Sequence, residues 1–165
     1  MKRAAHPYRE TSVIDSRAPR FNQAVVGTLS LTAVTLGPWW LLAILSLQLV
    51  IGLTFGRRYC LPCVVYFEVV QPRFGEGPIE DARPPRFANV VGVVFLGAAA
   101  VAFLAGLSTL GTLLGALVAT LALLAAATGF CTGCEAYKLG YLLSGRRFES
   151  CPLPPQPASG ASRSL

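Results

Sequence analysis

The sequence predicts an all-α membrane protein whose four transmembrane helices form two parallel-repeat hairpins. Two observations predict this fold. Residues 22–56 and residues 87–132 contain no Asp, Glu, Lys, Arg or His. A helix exposed to water needs a polar face, so segments of this composition are stable in hydrocarbon instead. The chain also repeats itself, because two similar polar blocks precede the two apolar segments.

Each apolar segment is too long for one transmembrane helix and contains a turn signal. A single helix over residues 22–56 would exceed about 50 Å, whereas the hydrocarbon core is about 30 Å thick. Gly37-Pro38 divides the first segment, and a turn between Gly106 and Gly111 divides the second. The predicted helices are therefore residues 22–36, 39–55, 88–107 and 111–130.

The positive charges predict the orientation. All 14 Lys and Arg residues lie before, between or after the apolar segments, and neither hairpin tip carries a charge. The positive-inside rule then places both termini and the central loop in the cytoplasm, as in a multi-pass membrane protein. Juxtamembrane arginines explain the net charge of +6. The predicted partner is therefore the lipid bilayer, and no nucleic acid is expected.

The same patterns divide the chain into segments. A cytoplasmic N-terminal segment and a cytoplasmic loop flank the first hairpin repeat, and a disordered tail follows the second. No role is assigned to Cys151, which lies in that tail. In chain order the segments are residues 1–20 (N-terminal segment), 21–70 (first repeat), 71–86 (loop), 87–147 (second repeat) and 148–165 (tail).

The repeat carries two copies of a Cys-x-x-Cys motif. Its polar block is Asp-x-Arg-x-Pro-Arg-Phe-x-Gln from Asp15 and Asp-x-Arg-x-Pro-Arg-Phe-x-Asn from Asp81, 66 positions later. Each apolar hairpin then ends in an aromatic residue followed by two cysteines. Because each half contains two spans, both motifs are expected on the cytoplasmic side. The four cysteines are Cys60, Cys63, Cys131 and Cys134.

Thiol chemistry is one interpretation of these motifs. Two cysteines three positions apart are close enough to form a disulfide, although a permanent disulfide is not expected in a reducing cytosol. Short interfacial helices are predicted after each motif, and their N–H groups would favour a thiolate, as would Arg57, Arg58, Arg146 or Arg147. Cys60 and Cys131 would attack, Cys63 and Cys134 would resolve, and a thioredoxin-like or persulfide-carrying protein would be the exchange partner.

Two other interpretations remain open. All four cysteines together match the ligand set of a Zn, Cu or Fe–S site, which makes Zn the alternative cofactor. Alternatively, the cysteines pack as small hydrophobic residues in an interaction scaffold. Whether the protein is an enzyme stays undecided, since the sequence contains no catalytic carboxylate pair, Ser-His pair or phosphate-binding glycine loop.

Several polar and aromatic residues receive simpler interpretations. Two arginines of the repeated blocks are expected to anchor helix starts in lipid headgroups. Three amides are expected to form interhelical hydrogen bonds, and the tyrosine after each motif is expected at the membrane interface. These residues are Arg20 and Arg86, Asn22, Gln48 and Asn89, and Tyr66 and Tyr137.

Three of these motifs resemble a known family. The Pro-Arg-Phe-x-Gln block, the Gly-Pro-Trp turn and the Gly-Phe-Cys-x-Gly-Cys segment that begins at Gly129 are similar to the uncharacterised bacterial membrane family called domain of unknown function 4395. The resemblance covers residues 15–143. It implies a multi-span inner-membrane protein that works with thioredoxin-like and sulfurtransferase (rhodanese-like) proteins.

Overall fold

A computed structural model describes Tyr8 and residues 12–129 and 131–143, and in this part of the chain the protein is mostly helical. Four long helices form the body of the fold. They are α1 (Arg17–Leu36), α2 (Trp40–Thr54), α5 (Arg83–Leu104) and α6 (Ser108–Thr128).

Shorter elements follow α2 and α6. A 3₁₀ turn (Arg57–Tyr59) leads into α3 (Leu61–Val65), a π-helical turn (Tyr66–Val70) and α4 (Gln71–Phe74), which run on without a break. Helix α7 (Thr132–Leu143) follows α6. The predicted tail 148–165 with Cys151, and also Arg146, Arg147 and the predicted end of the fourth helix at Phe130, lie outside the described residues.

The predicted turn signals are confirmed, but two helix starts were predicted too late. Helix α1 ends at Gly37, whose positive φ of 91° suits glycine. However, α1 begins at Arg17 and α5 at Arg83, five residues before the predicted starts at 22 and 88. Each helix was predicted to begin only after its charged residues. A helix start that lies outside hydrocarbon can contain charged residues.

Aspartates set the true starts of α1 and α5. The Asp15 carboxylate accepts the backbone N–H of Arg17 at 2.9 Å, and the Asp81 carboxylate accepts that of Arg83 at 2.8 Å. Both bonds satisfy a helix N–H that has no partner within the helix. The prolines that follow are tolerated because they lie in the first helical turn.

A small sheet makes the all-α prediction incomplete. Strands β1 (Val13–Asp15) and β2 (Ile79–Asp81) pair in antiparallel register, and β2 lies in the segment predicted as a loop. The central pair joins Ile14 to Glu80. These two positions are 66 apart and are therefore equivalent in the repeat. The strands are only three residues long, which is too short for an alternation pattern to predict them.

The long helices pack across the two halves of the chain. Helix α1 packs mainly against α6, and α2 packs mainly against α5, while α5 also contacts α6. The first helix of each half thus lies against the second helix of the other half. The core between them consists of small and aliphatic residues, namely Val26, Ala33, Leu42, Leu45, Leu49, Leu96 and Ala99.

Glycines allow the closest contacts between α1 and α6. A Cβ atom at Gly27 would lie 2.8 Å from Leu123 Cγ and 3.1 Å from the Leu123 backbone nitrogen. A Cβ atom at Gly115 would lie 2.7 Å from Val34 Cγ1. Both separations are shorter than real Cβ contacts, so neither position accepts a side chain without movement of its neighbour.

Among the residues that the structure describes, two helices are long and apolar enough to cross a membrane by length and composition. They are α5 and α6, and α2 is apolar but shorter. Large side chains point outward from these helices, including Ile44, Val94, Leu113 and Leu124, which are each more than half exposed.

The Gly27→Ala substitution tests the contact between α1 and α6. The added methyl group overlaps Leu123, so we expect a loss of about 1–3 kcal/mol in the free energy of unfolding. Thermal unfolding in detergent measures it. Gly140→Ala in α7 is the matched control, because no atom of the described residues lies within 4 Å of its Cβ position. Equal unfolding temperatures for the two variants would contradict the packing.

Candidate functional site

Both cysteine motifs lie at helix starts. Cys60 immediately precedes α3, and its carbonyl accepts the N–H of Val64 at 2.9 Å. Cys131 immediately precedes α7, and its carbonyl accepts the N–H of Glu135 at 3.0 Å. The first cysteine of each motif is thus the N-cap residue of a helix. The predicted helices therefore begin inside the motifs rather than after them.

The first pair of cysteines is oxidised. Cys60 and Cys63 form a disulfide, with Cα atoms 5.2 Å apart, which confirms that the spacing lets the two sulfurs bond. Cys60 is 5% exposed, whereas Cys63 is half-buried. Cys131 and Cys134 are half-buried thiols. The two motifs therefore differ in oxidation state as well as in sequence.

A cavity of about 60 Å³ lies beside the disulfide, between the starts of α1 and α5 and the end of α2. Cys60 and Cys63 line it together with two guanidinium groups, those of Arg57 and Arg86. No carboxylate is among its described lining residues. The disulfide therefore faces a small positively charged space.

The two arginines are close enough to influence each other. Burial, and after it the repulsion from Arg86, lowers the pKa of the Arg57 guanidinium to about 10. At neutral pH the group still carries its proton and its charge. A positive charge held here stabilises a thiolate on either sulfur of the disulfide.

Two amides complete the cavity wall. Asn22 Nδ2 donates to Asn89 Oδ1 at 3.4 Å, which confirms the expected hydrogen bond between α1 and α5. Both residues also line the cavity, which the sequence analysis missed. Asn22 is 5% exposed, and its Oδ1 atom has no hydrogen-bond partner within the described residues.

The second motif meets the polar block of the first half. Gln23 Nε2 donates to Cys131 Sγ at 3.2 Å. The guanidinium of Arg20 lies directly against Gly129, where a Cβ atom would collide with it. Gln23 and Cys131 also line a mostly apolar cavity of about 130 Å³ among α1, α5 and α6. The second motif therefore also has an amide donor, Gln23, and a cation, Arg20, beside it.

Each polar block therefore contributes an arginine and an amide to the motif of the other half. Arg20 and Gln23 of the first half lie beside the second motif. Their equivalents Arg86 and Asn89, 66 positions later, lie beside the first motif. The constant spacing of the blocks was the available signal for these residues. It did not reveal which motif each block contacts, and headgroup anchoring by the two arginines stays a prediction.

Tyr66 links the helix after the first motif to the start of α1. Its hydroxyl donates to Asp15 Oδ2 at 2.9 Å, and the same oxygen accepts Gln71 Nε2 at 3.2 Å and the Gly77 N–H at 3.0 Å. Tyr66 is 2% exposed, so its side chain is buried within the protein, and its place at the membrane interface stays a prediction. Burial, followed by the hydrogen bond and charge of Asp15, raises its pKa above the usual value of 10.

Equivalent aromatic contacts recur in the two halves. Phe21 and Tyr66 have ring centroids 5.9 Å apart at 45°, and Phe87 and Tyr137 have centroids 5.5 Å apart at 44°. Asp81, the equivalent of Asp15, pairs with the Arg83 guanidinium at 2.7 Å. The aromatic contact after each motif is therefore a shared feature of the two halves.

The cysteines do not form a metal centre in the part of the chain that the structure describes. No group of three or more His, Cys, Asp and Glu residues there is arranged to hold a metal ion. The structure describes all four motif cysteines. Cys60 and Cys63 are bonded to each other, and Cys131 lines a different cavity. The alternative Zn, Cu or Fe–S site therefore gains no support.

The Tyr66→Phe substitution tests the Asp15 network. It removes one donor to a buried carboxylate, so we expect a loss of about 1.5–3 kcal/mol in the free energy of unfolding. Tyr8→Phe is the control, because the Tyr8 hydroxyl donates to the exposed Glu68 at 2.9 Å, and it should cost under about 0.5 kcal/mol. Chemical denaturation in detergent measures both.

The pH dependence supplies a second readout for Tyr66. Because the pKa of Tyr66 is raised in the folded protein, the unfolded chain loses the Tyr66 hydroxyl proton at a lower pH than the folded chain does. The contribution of Tyr66 to the free energy of unfolding is therefore complete below pH 10 and is lost as the pH rises above it. Tyr66→Phe should remove that part of the alkaline loss. An unchanged alkaline profile would count against the network.

Comparison with known proteins identifies the family. The family model described as Domain of unknown function (DUF4395) matches residues 14–141, which is most of the chain. Comparison with curated proteins and with solved structures found no match. The match contains both polar blocks, all four long helices and both cysteine motifs. The chain belongs to the DUF4395 family.

Proposed function

We propose that this protein is a four-span membrane protein whose cysteine motifs exchange disulfides with a soluble dithiol protein on the cytoplasmic side. The four spans are α1, α2, α5 and α6, arranged as two parallel hairpins. Both termini lie in the cytoplasm, and the membrane is the inner membrane. The disulfide beside two guanidinium groups is the observation that carries the functional part of this proposal.

The distribution of side-chain size supports membrane embedding. Small residues such as Ser30, Ala99 and Ala119 are at most 1% exposed, whereas Leu47 and Leu113 on the outer surface are 60% and 63% exposed. A soluble bundle would bury its leucines instead. Lipid tails solvate large apolar side chains, and small residues let transmembrane helices approach closely.

The charges support a common side for both motifs. The turns after α1 and α5 contain no charged residue, whereas α1 and α5 begin with arginines and Arg57 follows α2. Arg20 lies against Gly129 at the end of α6. Contacts between Gln23 and Cys131, and the cavity shared by Arg86 and Cys60, join both motifs to this charged end. The positive-inside rule assigns that end to the cytoplasm.

The exposure of the sulfurs favours a particular order of attack. A partner thiolate reaches the half-buried Cys63 more easily than Cys60, which is 5% exposed. The partner sulfur bonds to Cys63 Sγ, the Cys60–Cys63 bond breaks, and Cys60 leaves as a thiolate beside Arg57 and Arg86. This order reverses the predicted roles of Cys60 as attacking and Cys63 as resolving thiol.

A second thiolate of the partner completes the exchange. It attacks the partner sulfur of the mixed disulfide, so that Cys63 leaves as a thiolate and the partner keeps the disulfide. Two electrons pass from the partner to the Cys60–Cys63 pair. The reverse sequence oxidises the pair. Cys131, which accepts a hydrogen bond from Gln23, is suited to the same chemistry in its reduced form.

An exposed apolar surface around Cys63 suits a protein partner. Tyr59, Leu61 and Val65 are 60%, 66% and 45% exposed and lie on either side of Cys63 in the sequence. Thioredoxin-like and rhodanese-like proteins present their reactive sulfur on a protein surface and would need such a docking area. The partner class follows from the dithiol chemistry and from the resemblance that the motifs carry.

Trapping the mixed disulfide tests the exchange. Thioredoxin that lacks its resolving cysteine should form an adduct with the oxidised protein, and peptide mass spectrometry should locate the adduct on Cys63 and a released thiol on Cys60. Thioredoxin that lacks both cysteines is the control. A disulfide and thiols that stay inert across a wide redox range, with no adduct, would refute the proposal.

A further inference from the structure

The cavity beside the disulfide admits only a small ligand. Its volume is about 60 Å³, and one water molecule needs roughly 10–15 Å³ on this measure. The space therefore holds a few non-hydrogen atoms and excludes the side chains of a partner protein. Both cysteines line this cavity, so a ligand of this size can meet Cys60, which is 5% exposed and less accessible than Cys63 to a protein thiol.

The residues that line the cavity favour a negatively charged ligand. Arg57 and Arg86 contribute two guanidinium groups, and no described lining residue contributes a carboxylate. Arg57 is half-buried, so its field acts through protein rather than through bulk water. A small anion is the complementary ligand.

Asn22 adds a requirement for a hydrogen-bond donor. Its Nδ2 atom already donates to Asn89, but its Oδ1 atom is buried in the cavity wall without a partner among residues 12–129 and 131–143. A buried acceptor left unsatisfied costs about 1–3 kcal/mol. An anion that also carries a hydrogen satisfies both the amide oxygen and the guanidinium groups.

We propose that hydrosulfide, HS⁻, binds in this cavity and attacks Cys60 Sγ. Hydrosulfide is small, carries one negative charge and one S–H group, and is a nucleophile toward disulfides. This inference rests on the proposed function, because it names a second substrate class for the same disulfide. Protein thiols react at Cys63, and the small sulfur anion reacts at Cys60.

The step balances without any further reactant. The hydrosulfide sulfur bonds to Cys60 Sγ, the Cys60–Cys63 bond breaks, and Cys63 takes the electron pair as a thiolate. The products are a persulfide on Cys60 and a thiolate on Cys63, with the same total charge as the reactants. The terminal persulfide sulfur is then available for transfer to a protein acceptor thiolate.

Site-resolved mass spectrometry tests this inference. The full-length oxidised protein in detergent is mixed with sodium sulfide, alkylated at intervals and digested. We expect the additional sulfur on the Cys60 peptide. Arg86→Met should slow its appearance about tenfold or more, because the cavity loses part of its attraction for anions. Arg86→Lys, which keeps the charge, should restore most of the rate.

Arg58→Met is the matched control, because Arg58 adjoins Arg57 but is exposed and is not part of the cavity lining. It should leave the rate unchanged, and unfolding temperatures confirm that every variant is folded. Sulfur found mainly on Cys63, or equal rates for Arg58→Met and Arg86→Met, would overturn the inference.

The thioredoxin adduct is measured on the same samples to separate the two proposals. An adduct on Cys63 without a Cys60 persulfide would refute the hydrosulfide site alone. Failure of both reactions would refute the exchange function as well.

Discussion

The packing of each half's first helix against the other half is the constraint on which the site depends. Helix α1 lies against α6 and α2 lies against α5. Gln23 is thereby brought to Cys131, and Arg86 and Asn89 to the cavity of the first motif. Each motif thus receives an arginine and an amide from the other half of the chain. Glycines at the α1–α6 contact make this arrangement sterically accessible.

The small sheet joins the starts of α1 and α5. Strands β1 and β2 pair Ile14 with Glu80, and α1 and α5 begin directly after them. Asp15 and Asp81 then bond to the first helical N–H groups on either side. The network from Asp15 to Tyr66 extends this connection to the helix that follows Cys63. The segment that carries the first motif is therefore joined by hydrogen bonds to the start of α1.

The sequence predicted the helices and the positions of the motifs better than it predicted their contacts. Charge-free segments with internal Gly-Pro or Gly signals identify four long helices because hydrophobicity is a local property. By contrast, Arg20 and Arg86 occupy identical local contexts, so no local pattern tells which motif each one faces. Tyr66 finds its partner Asp15 51 positions away. The β strands also depend on long-range pairing, because β1 and β2 lie 66 positions apart.

Crosslinking across the two halves is the most direct test of the central claim. Gln23→Cys, treated with a short bifunctional thiol reagent, should link to Cys131, and Asn89→Cys should link to Cys60 or Cys63 after reduction. Tandem mass spectrometry of the linked peptides distinguishes these products. The opposite result, with Gln23→Cys linked to the first motif and Asn89→Cys linked to Cys131, would mean that each polar block serves its own half, and it would contradict the account.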